Sequence, residues 1–179
     1  PDKAMMMSFL TNHDENSWNG TIEEKYGDHW QVFSVLNYTL QNSFPLIYNG
    51  EEANNTKRLQ FFEKDPITSW ADTSRYTWYR KMNHLKHTHP ALQNSPWGPK
   101  EMVLPVSGGN ENIFAFKRSK FGQSITVIVN LSNQQQWIQA VGDRNLDGTE
   151  KAYVSAPVTV KSIGQGMPIA PWGYTILVD

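Results

Sequence analysis

The pattern of apolar residues changes once along this chain, near residues 90–100, and this change constrains the fold more than any other feature. Before it, two short apolar runs at residues 4–10 and 44–48 alternate with segments whose apolar residues recur at helical spacing. After it, short β-type runs are separated by clusters of Gly, Asn, Asp and Ser. We therefore predict an α/β part over residues 1–96 and an all-β part over residues 97–179.

The α/β part has the order strand, helix, strand, helix, which is typical of a parallel sheet. We predict a buried strand over residues 4–10, a polar loop over residues 11–27 and a first helix over residues 29–41, with Asp28 as its N-cap. The apolar face of this helix would consist of Trp30, Phe33, Leu36 and Leu40.

A second helix is predicted to follow the strand at residues 44–48. It begins near Asp72 or Thr73 and ends before Pro90, because a proline disfavours helical backbone in the residue before it. The apolar face of this helix would consist of Trp78, Met82 and Leu85.

Both predicted strands of the α/β part end in carboxylates. Asp14 and Glu15 follow the first strand, and Glu51 and Glu52 follow the second. In a (β/α) barrel the active site lies at the carboxyl ends of the strands, so these two clusters would meet at one rim. Acidic groups around a sugar-sized pocket suit glycoside hydrolysis. From spacing alone, however, polar residues after strands are more often ordinary turns, and both interpretations stay open at this point.

The all-β part contains five predicted strands joined by turn-forming residues. Within the run at residues 124–131, Ile125, Val127, Val129 and Leu131 alternate and are expected to face one way. The five runs cover residues 112–118, 124–131, 137–141, 156–162 and 174–178. Short alternating strands of this kind predict a compact antiparallel sandwich or barrel with no catalytic role.

Composition excludes several classes of partner and chemistry. The 179 residues carry a formal net charge of -1, which gives no electrostatic reason to expect nucleic acid or a membrane surface as a partner. The chain has no Cys, so disulfides and thiol chemistry are ruled out. No apolar run reaches the roughly 20 residues that span a bilayer. The opening "PDKAMMMS" resembles neither a signal peptide nor a natural start, so we expect a longer protein whose compartment the chain leaves unknown.

Several stretches of the chain resemble the α-amylase family, glycoside hydrolase family 13. "FLTNHDENSWNG" is similar to the motif at the end of the seventh barrel strand, and "FPLIYNGEE" is similar to the eighth-strand motif. "KRLQFFEKDPITSW" and "YRKMNHLKHTHPAL" resemble the following loop and the last barrel helix of bacterial members, and "FAFKR", "VIVNLS" and "APWGYTILV" resemble strands of the C-terminal β-sandwich. The resemblance implies a partial TIM (β/α)8 barrel, its seventh and eighth βα units, over residues 1–96, followed by an antiparallel β-sandwich domain over residues 97–179.

The resemblance also implies roles for individual residues. Asp14 matches the third catalytic carboxylate of the family. This carboxylate binds sugar hydroxyls and stabilises the transition state, but it is neither the nucleophile nor the acid. His13 matches the imidazole that binds the same sugar, and Trp18 would either stack on a sugar or pack under the loop. Residues expected to support the site are Asn12, Tyr48 and Glu52.

The family's nucleophile and proton donor lie at the ends of the fourth and fifth barrel strands, whose motifs have no counterpart in this chain. Retaining hydrolysis needs both groups, about 5 Å apart. The resemblance therefore implies the C-terminal portion of an enzyme that cleaves α-1,4 bonds in starch or maltooligosaccharides, inactive on its own. The alternatives are a transglycosylase or isomerase of the same superfamily, acting on maltose, sucrose or trehalose, and a non-catalytic module that binds glucan or protein. Export of the whole enzyme to the periplasm or the medium is the favoured expectation, with the cytoplasm as the alternative.

No cofactor or metal is expected from these residues, although the longer enzyme could bind calcium. "DRNLDG" at residues 143–148 matches the opening of a calcium loop, but Val154 stands where the acidic twelfth residue belongs, so a turn is expected. A zinc site is not expected at His84, His87 and His89, because no carboxylate lies at a matching helical spacing from them. Two strands cannot close a barrel, so we expect the first part either to self-associate through its unpaired strands or to rearrange around residues 5–7.

Overall fold

A computed structural model of the chain describes residues 4–94, 96, 98–146, 151–156 and 166–179. The chain divides into two compact units, Pro1–Pro96 and Trp97–Asp179. Helices in the described residues are too short and too polar to cross a lipid bilayer.

The first unit is built on two parallel strands, β1 (Met6–Phe9) and β2 (Ser43–Leu46). Their register pairs Met6 with Ser43 and Phe9 with Leu46. The predicted burial of the first strand is wrong: Met6 is 74% exposed, and Phe44 on β2 is also exposed. The side chains of a strand are buried by elements that pack on the faces of its sheet, and the exposed side chains of Met6 and Phe44 have no such cover in the described residues.

Three α-helices accompany these strands: α1 (Ile22–Tyr26), α2 (Trp30–Thr39) and α3 (Ser74–Thr88). The two predicted helices thus exist close to their expected bounds. Asp28 is not an N-cap, because it lies inside a 3-10 turn, Gly27–His29, that precedes α2. Two further 3-10 turns are Glu51–Ala53, after β2, and Pro90–Leu92, after α3. In the latter turn the backbone N–H of Ala91 donates to Nδ1 of His89.

The residues that are buried on α2 and α3 differ in part from those predicted. On α2 the fully buried hydrophobic side chains are Val32, Val35 and Tyr38. The residues expected to form its face, Trp30, Phe33, Leu36 and Leu40, are only half-buried. On α3, Met82 and Leu85 are buried as predicted, together with Tyr79, whereas Trp78 is half-buried. The described elements therefore leave part of the apolar surface of α2 and α3 uncovered.

The predicted loop over residues 11–27 is in fact mostly helical. It contains a π-helical turn, Glu15–Asn19, followed by α1. Thr21 begins α1 with a capping box: its Oγ1 accepts from the backbone N–H of Glu24, and the Glu24 carboxylate accepts from the N–H of Thr21. This T-x-x-E signal is visible in the sequence, so the helix could have been predicted.

The second unit is an antiparallel β structure in every strand pair that is described. Its strands are β3 (Met102–Val103), β4 (Ile113–Lys120), β5 (Gln123–Asn130), β6 (Gln136–Ile138), β7 (Ala140–Val141), β8 (Arg144–Asn145), β9 (Val154–Ser155), β10 (Met167–Ile169) and β11 (Tyr174–Val178). Five of them form one sheet in the order β3-β4-β5-β11-β9, β6 pairs with β10, and β7 pairs with β8.

The core of the second unit lies between the large sheet and the smaller strand pairs. One side is formed by Ile113, Ala115, Ile128 and Leu177, and the other by Ile138, Val141, Leu146, Met167 and Ile169. Two layers that enclose a common apolar core make this unit a sandwich.

The strand predictions for the second unit hold for most of the described chain. Ile125, Val127 and Val129 are buried on one face of β5, as expected, but Leu131 is 40% exposed because the strand ends one residue earlier. The run at residues 137–141 is divided between β6 and β7. The run predicted at residues 156–162 lies outside the described residues except for its first position.

Candidate functional site

The carboxyl ends of β1 and β2 lie at one edge of the first unit, because the two strands are parallel and in register. A small cavity between them is lined by Thr11 and Asn16 from the first connection and by Tyr48, Gly50 and Glu51 from the second. The structure therefore places the residues after the two strands at one edge, but of the four predicted carboxylates, Asp14, Glu15, Glu51 and Glu52, Glu51 alone lines this cavity.

Asn12 begins the helical turn that carries the candidate residues. Its side-chain Oδ1 accepts a 2.8 Å hydrogen bond from the backbone N–H of Glu15, and its carbonyl oxygen accepts a 2.9 Å bond from the N–H of Asn16. This is the geometry of a side-chain cap, and it fixes the backbone of His13 and Asp14 immediately after β1.

His13 and Asp14 point out of this turn into open space. Nε2 of His13 lies 3.6 Å from Oδ2 of Asp14, and the two side chains are 68% and 58% exposed. A contact between two side chains so exposed contributes little to stability. Both keep most of their hydrogen-bonding capacity available to a ligand.

The neighbouring carboxylate, Glu15, is in contrast engaged within the protein. Nζ of Lys25 lies 2.7 Å from its Oε2, and Nδ2 of Asn19 donates to its Oε1 at 3.1 Å. The hydrogen bond from Lys25, followed by that from Asn19, lowers the pKa of Glu15. Glu15 therefore stabilises the turn, and Asp14 is the carboxylate of the pair that remains accessible.

After β2, the carboxylate of Glu52 accepts a 3.0 Å hydrogen bond from the backbone N–H of Gly50, while the carbonyl oxygen of Tyr48 accepts from the N–H of Glu51. Both predicted support residues therefore contribute to the same short turn. Gly50 has φ +94°, and a Cβ there would come within 2.7 Å of Ile67, so glycine is required.

Glu51 is the residue that sequence reasoning undervalued. It is almost completely buried, and its Oε2 accepts a 2.6 Å hydrogen bond from the hydroxyl of Tyr79 on α3. Burial raises the pKa of Glu51 to about 7, although the bond from Tyr79 acts in the opposite direction. The sequence Gly50-Glu51-Glu52 does not show which of the two glutamates is buried, because burial depends on which side chain faces α3.

An ion pair links the start of α3 to α1 beside this site. Nη2 of Arg75 lies 2.6 Å from Oε1 of Glu23, and the Arg75 guanidinium lies 4.7 Å from the ring centre of Trp30. Arg75 is buried, which makes this pair a structural connection between the two helices. The sequence offered no signal for it, because the partners are 52 residues apart.

Trp18 lies on the same helical turn as Asp14 and is 59% exposed. Its ring is 5.6 Å from that of Phe61 and 6.4 Å from that of Phe62, and the ring of His13 is 5.8 Å from that of Phe61. Phe61 and Phe62 belong to the segment that follows β2. Neither was singled out as a site residue in the sequence.

Metal-ligating side chains do not gather in groups of three or more within the described part of the chain. The calcium-like stretch at residues 143–148 has its last two positions outside that part. Of the three histidines near the end of α3, His89 is buried and accepts the hydrogen bond of Ala91 described above.

The chain was compared with known proteins by sequence and by structure, and the two comparisons agree with each other. No protein-family model matches the chain. A protein of Paenibacillus polymyxa described as a beta/alpha-amylase is 28% identical to it over 133 residues, which cover 72% of this chain and 10% of that protein.

Several solved structures share the fold of almost the whole chain. The alpha-amylase from H. orenii matches with a TM-score of 0.61 and 18% identity, over 98% of this chain and 40% of its own. A cyclomaltodextrin glucanotransferase with a three-domain ABC distribution matches with a TM-score of 0.66 and 14% identity, over 98% and 36%. The trehalose-6-phosphate hydrolase of Bacillus licheniformis matches with a TM-score of 0.65 and 14% identity, over 97% and 43%.

These matches confirm the resemblance to the α-amylase family that the sequence indicated. At such identities the structures establish a shared fold, that of enzymes with a TIM barrel and a C-terminal sheet domain. The chain spans about a tenth of the length of its curated relative and well under half of each matched structure.

Proposed function

We propose that this chain is the C-terminal portion of an α-amylase-type glycoside hydrolase that cleaves α-1,4-glucan bonds with retention of configuration. The observation that carries the proposal is the exposed His13–Asp14 pair, fixed by Asn12 at the carboxyl end of β1 and beside the end of β2. The sequence match to an amylase supports the same class of substrate.

In this proposal β1 and β2 are the seventh and eighth strands of a (β/α)8 barrel. Their parallel pairing, the helices α2 and α3 that follow them, and the sandwich at the C-terminal end all support this assignment. The half-buried apolar side chains of α2 support it as well, because a complete barrel would cover them.

Asp14 would act by binding and by charge. Its carboxylate would accept hydrogen bonds from sugar hydroxyls at the cleavage point, and its negative charge would stabilise the positive charge that develops on the sugar ring. The imidazole of His13, a few ångströms away, would bind a hydroxyl of the same ring. Both contributions increase as the ring distorts, so they would favour the transition state over the bound substrate.

The nucleophile and the proton donor would come from a preceding part of the longer enzyme. No stretch of the 179 residues resembles the fourth- and fifth-strand motifs that carry them in the family. The function proposed here is therefore that of the longer enzyme, to which this chain contributes one of three carboxylates.

Two alternatives use the same residues. A transglycosylase or isomerase of the same superfamily would share the His13–Asp14 pair, and the matched glucanotransferase is a relative of that kind. A non-catalytic module would keep the fold but lack the other two carboxylates. We favour hydrolysis because the sequence relative is described as an amylase.

The test is the variant Asp14→Asn in the longer enzyme, assayed on maltooligosaccharides with Asp28→Asn as a matched control on an exposed aspartate. We expect kcat to fall roughly 100-fold or more with a smaller change in KM, because the lost interaction belongs mainly to the transition state. The control should keep its activity. If Asp14→Asn retains nearly full kcat, the role assigned to Asp14 is wrong.

A further inference from the structure

One lysine on α1 contacts both ends of the segment that carries His13 and Asp14. Nζ of Lys25 lies 2.7 Å from Oε2 of Glu15, the residue after Asp14, and 3.5 Å from the carbonyl oxygen of Leu10, the residue after β1. The side chains of Lys25 and Glu15 are only 22% and 30% exposed. We call the stretch from Leu10 to Glu15 the pair segment. Its two ends are therefore joined through one ammonium group.

The two contacts of Lys25 differ in strength. The bond to Glu15 is short and joins opposite charges, and it is the main reason that the pKa of Glu15 is lowered. The bond to the Leu10 carbonyl is at the long limit for a hydrogen bond. That carbonyl also accepts a 3.3 Å bond from the hydroxyl of Tyr26, the next residue of α1. Lys25 and Tyr26 thus hold the end of β1 together, and Lys25 connects that end to Glu15.

The helix that carries Lys25 is itself held in place. Oε2 of Glu24 accepts a 2.7 Å bond from Nε of Arg58 in the segment after β2, and the ring of Tyr26 lies 5.1 Å from that of Phe33 on α2. The side chain of Ile22 is buried. Because α1 is attached on these sides, its lysine can determine where the pair segment lies instead of following it.

The position of the Asp14 carboxylate depends on the backbone of the pair segment. The Asp14 side chain is 58% exposed, so surrounding side chains do little to fix it. Within the segment, the cap that Asn12 provides for the N–H of Glu15 sets the shape of the turn. The ammonium of Lys25 sets where that turn lies relative to β1 and α1. Without it the two ends are no longer joined, and the turn should open more often.

We propose that Lys25 is a positioning residue for Asp14: it joins Leu10 to Glu15 and so places the Asp14 carboxylate against the bound sugar. This inference rests on the proposed function for the role of Asp14, and it adds a residue outside the motif after β1 that determines the geometry of that motif. Lys25 acts through Glu15 and the backbone, not on the sugar. Since a displacement of about 1 Å can lower a rate by about 100-fold, the effect should appear in kcat.

The experiment measures kcat and KM on maltooligosaccharides for Lys25→Met and Lys25→Arg in the longer enzyme. Methionine keeps the apolar stem and removes the charge and the donors, whereas arginine keeps both. We expect Lys25→Met to lower kcat roughly tenfold with a smaller change in KM. Lys25→Arg should recover most of this loss, and Tyr26→Phe should cost less than Lys25→Met. The control is Lys64→Met, which changes an exposed lysine in the segment after β2 and should leave kcat unchanged.

A second measurement, on the 179-residue chain, does not depend on catalysis. The backbone amides of Glu15 and Asn16 both donate to Asn12, so their hydrogen exchange reports on the turn. We expect Lys25→Met to speed this exchange by about tenfold and to leave the amides of β5 unchanged. Unchanged exchange at Glu15 and Asn16 overturns the inference, because the pair segment would then not depend on Lys25.

The kinetic outcomes separate this inference from the proposed function. If Asp14→Asn lowers kcat but Lys25→Met does not, the inference is wrong and the proposed function stands. If neither variant lowers kcat, both are wrong, and faster exchange in Lys25→Met shows a structural contact only. A Lys25→Arg enzyme as slow as Lys25→Met overturns the inference, because the charge would not be what positions Asp14. So does a Lys25→Met enzyme whose loss of kcat equals its loss of folded protein.

Discussion

The hydroxyl of Tyr79 on α3 donates a 2.6 Å hydrogen bond to Oε2 of Glu51, the first residue after Gly50 in the turn that follows β2. Both side chains are buried, so this contact ties the end of a strand to the middle of a helix. Burial raises the pKa of Tyr79 as well as that of Glu51, mainly because each charged form would lose its hydration.

The Glu51 carboxyl should make the first unit less stable as the pH rises. Its folded pKa of about 7 lies above the ordinary value of 4.5, so the folded chain binds its proton more tightly than the unfolded chain does. Stability should therefore be complete below about pH 4.5 and decline until about pH 7, by on the order of 3 kcal/mol. Urea unfolding of the unmodified chain and of Glu51→Gln at several pH values measures this decline.

The variant Glu51→Gln should reduce the decline of stability with pH, because it removes the titrating group. The control variant Glu63→Gln changes an exposed carboxylate and should leave the decline unchanged. Tyr79→Phe should extend the decline to higher pH, since it removes the bond that holds the pKa of Glu51 down. Equal pH profiles for the unmodified chain and Glu51→Gln would contradict this prediction.

The isolated chain should not hydrolyse starch, maltooligosaccharides or an aryl α-glucoside above background. The reason is that Asp14 alone cannot supply a nucleophile and a proton donor on either side of the scissile bond. Release of reducing sugar, measured for the unmodified chain and for Asp14→Ala, is the assay. Turnover that copurifies with the chain and disappears in Asp14→Ala would refute the prediction.

The longer helices and strands of this chain, α2, α3, β4, β5 and β11, could be predicted because their signals are local, whereas the short strands β3, β8, β9 and β10 were not predicted. The helical spacing of Met82 and Leu85 identifies α3 and its buried face, and the alternation of Ile125, Val127 and Val129 identifies β5 as a strand, although β5 is in fact buried on both faces. Such periodic patterns report directly on which side of an element is covered.

The features that could not be predicted depend on contacts between distant parts of the chain. Glu51 differs from Glu52 because Tyr79, 28 residues away, faces it. Phe61 reaches Trp18 because Asn16 binds Leu59, 43 residues away. The burial expected for Met6 failed for a related reason, since burial of a strand depends on neighbours that its own sequence does not contain.

Asn130, at the end of β5, should be a major determinant of stability in the second unit. It is completely buried, and its Nδ2 donates to the carbonyl oxygens of Gln134 at 2.7 Å and Ala170 at 2.8 Å. Its Oδ1 accepts from both the N–H and the hydroxyl of Ser132. Asn130→Ala removes all of these hydrogen bonds at a buried position and should cost roughly 1–3 kcal/mol of unfolding free energy.

The matched control for this prediction is Asn133→Ala, three residues away on the same turn and exposed. It should change the unfolding free energy by less than about 0.5 kcal/mol. Thermal or urea unfolding of the two variants makes the comparison. Similar losses of unfolding free energy in both variants would mean that the hydrogen bonds of Asn130 do not stabilise the second unit more than the exposed Asn133 side chain does.

The two-stranded sheet of the first unit should cause the chain to self-associate. In the described residues β1 stays paired with β2, but neither strand has a second neighbour, and Met6, Met7 and Phe44 are exposed. Open strand edges beside apolar side chains are a template for pairing with another copy. We therefore propose a concentration-dependent dimer, measurable by analytical ultracentrifugation, in which the amides of β1 become protected from hydrogen exchange.

The variant Met6→Lys should shift this equilibrium toward the monomer, because a charged side chain on a strand disfavours further pairing and burial of its face. Met102→Lys is the matched control, since Met102 is also an exposed methionine at the edge of a sheet, but on β3 in the second unit. If Met102→Lys dissociates the dimer and Met6→Lys does not, the association uses the sandwich. A monomer at all concentrations whose β1 amides exchange as slowly as those of β5 would show that β1 needs no partner.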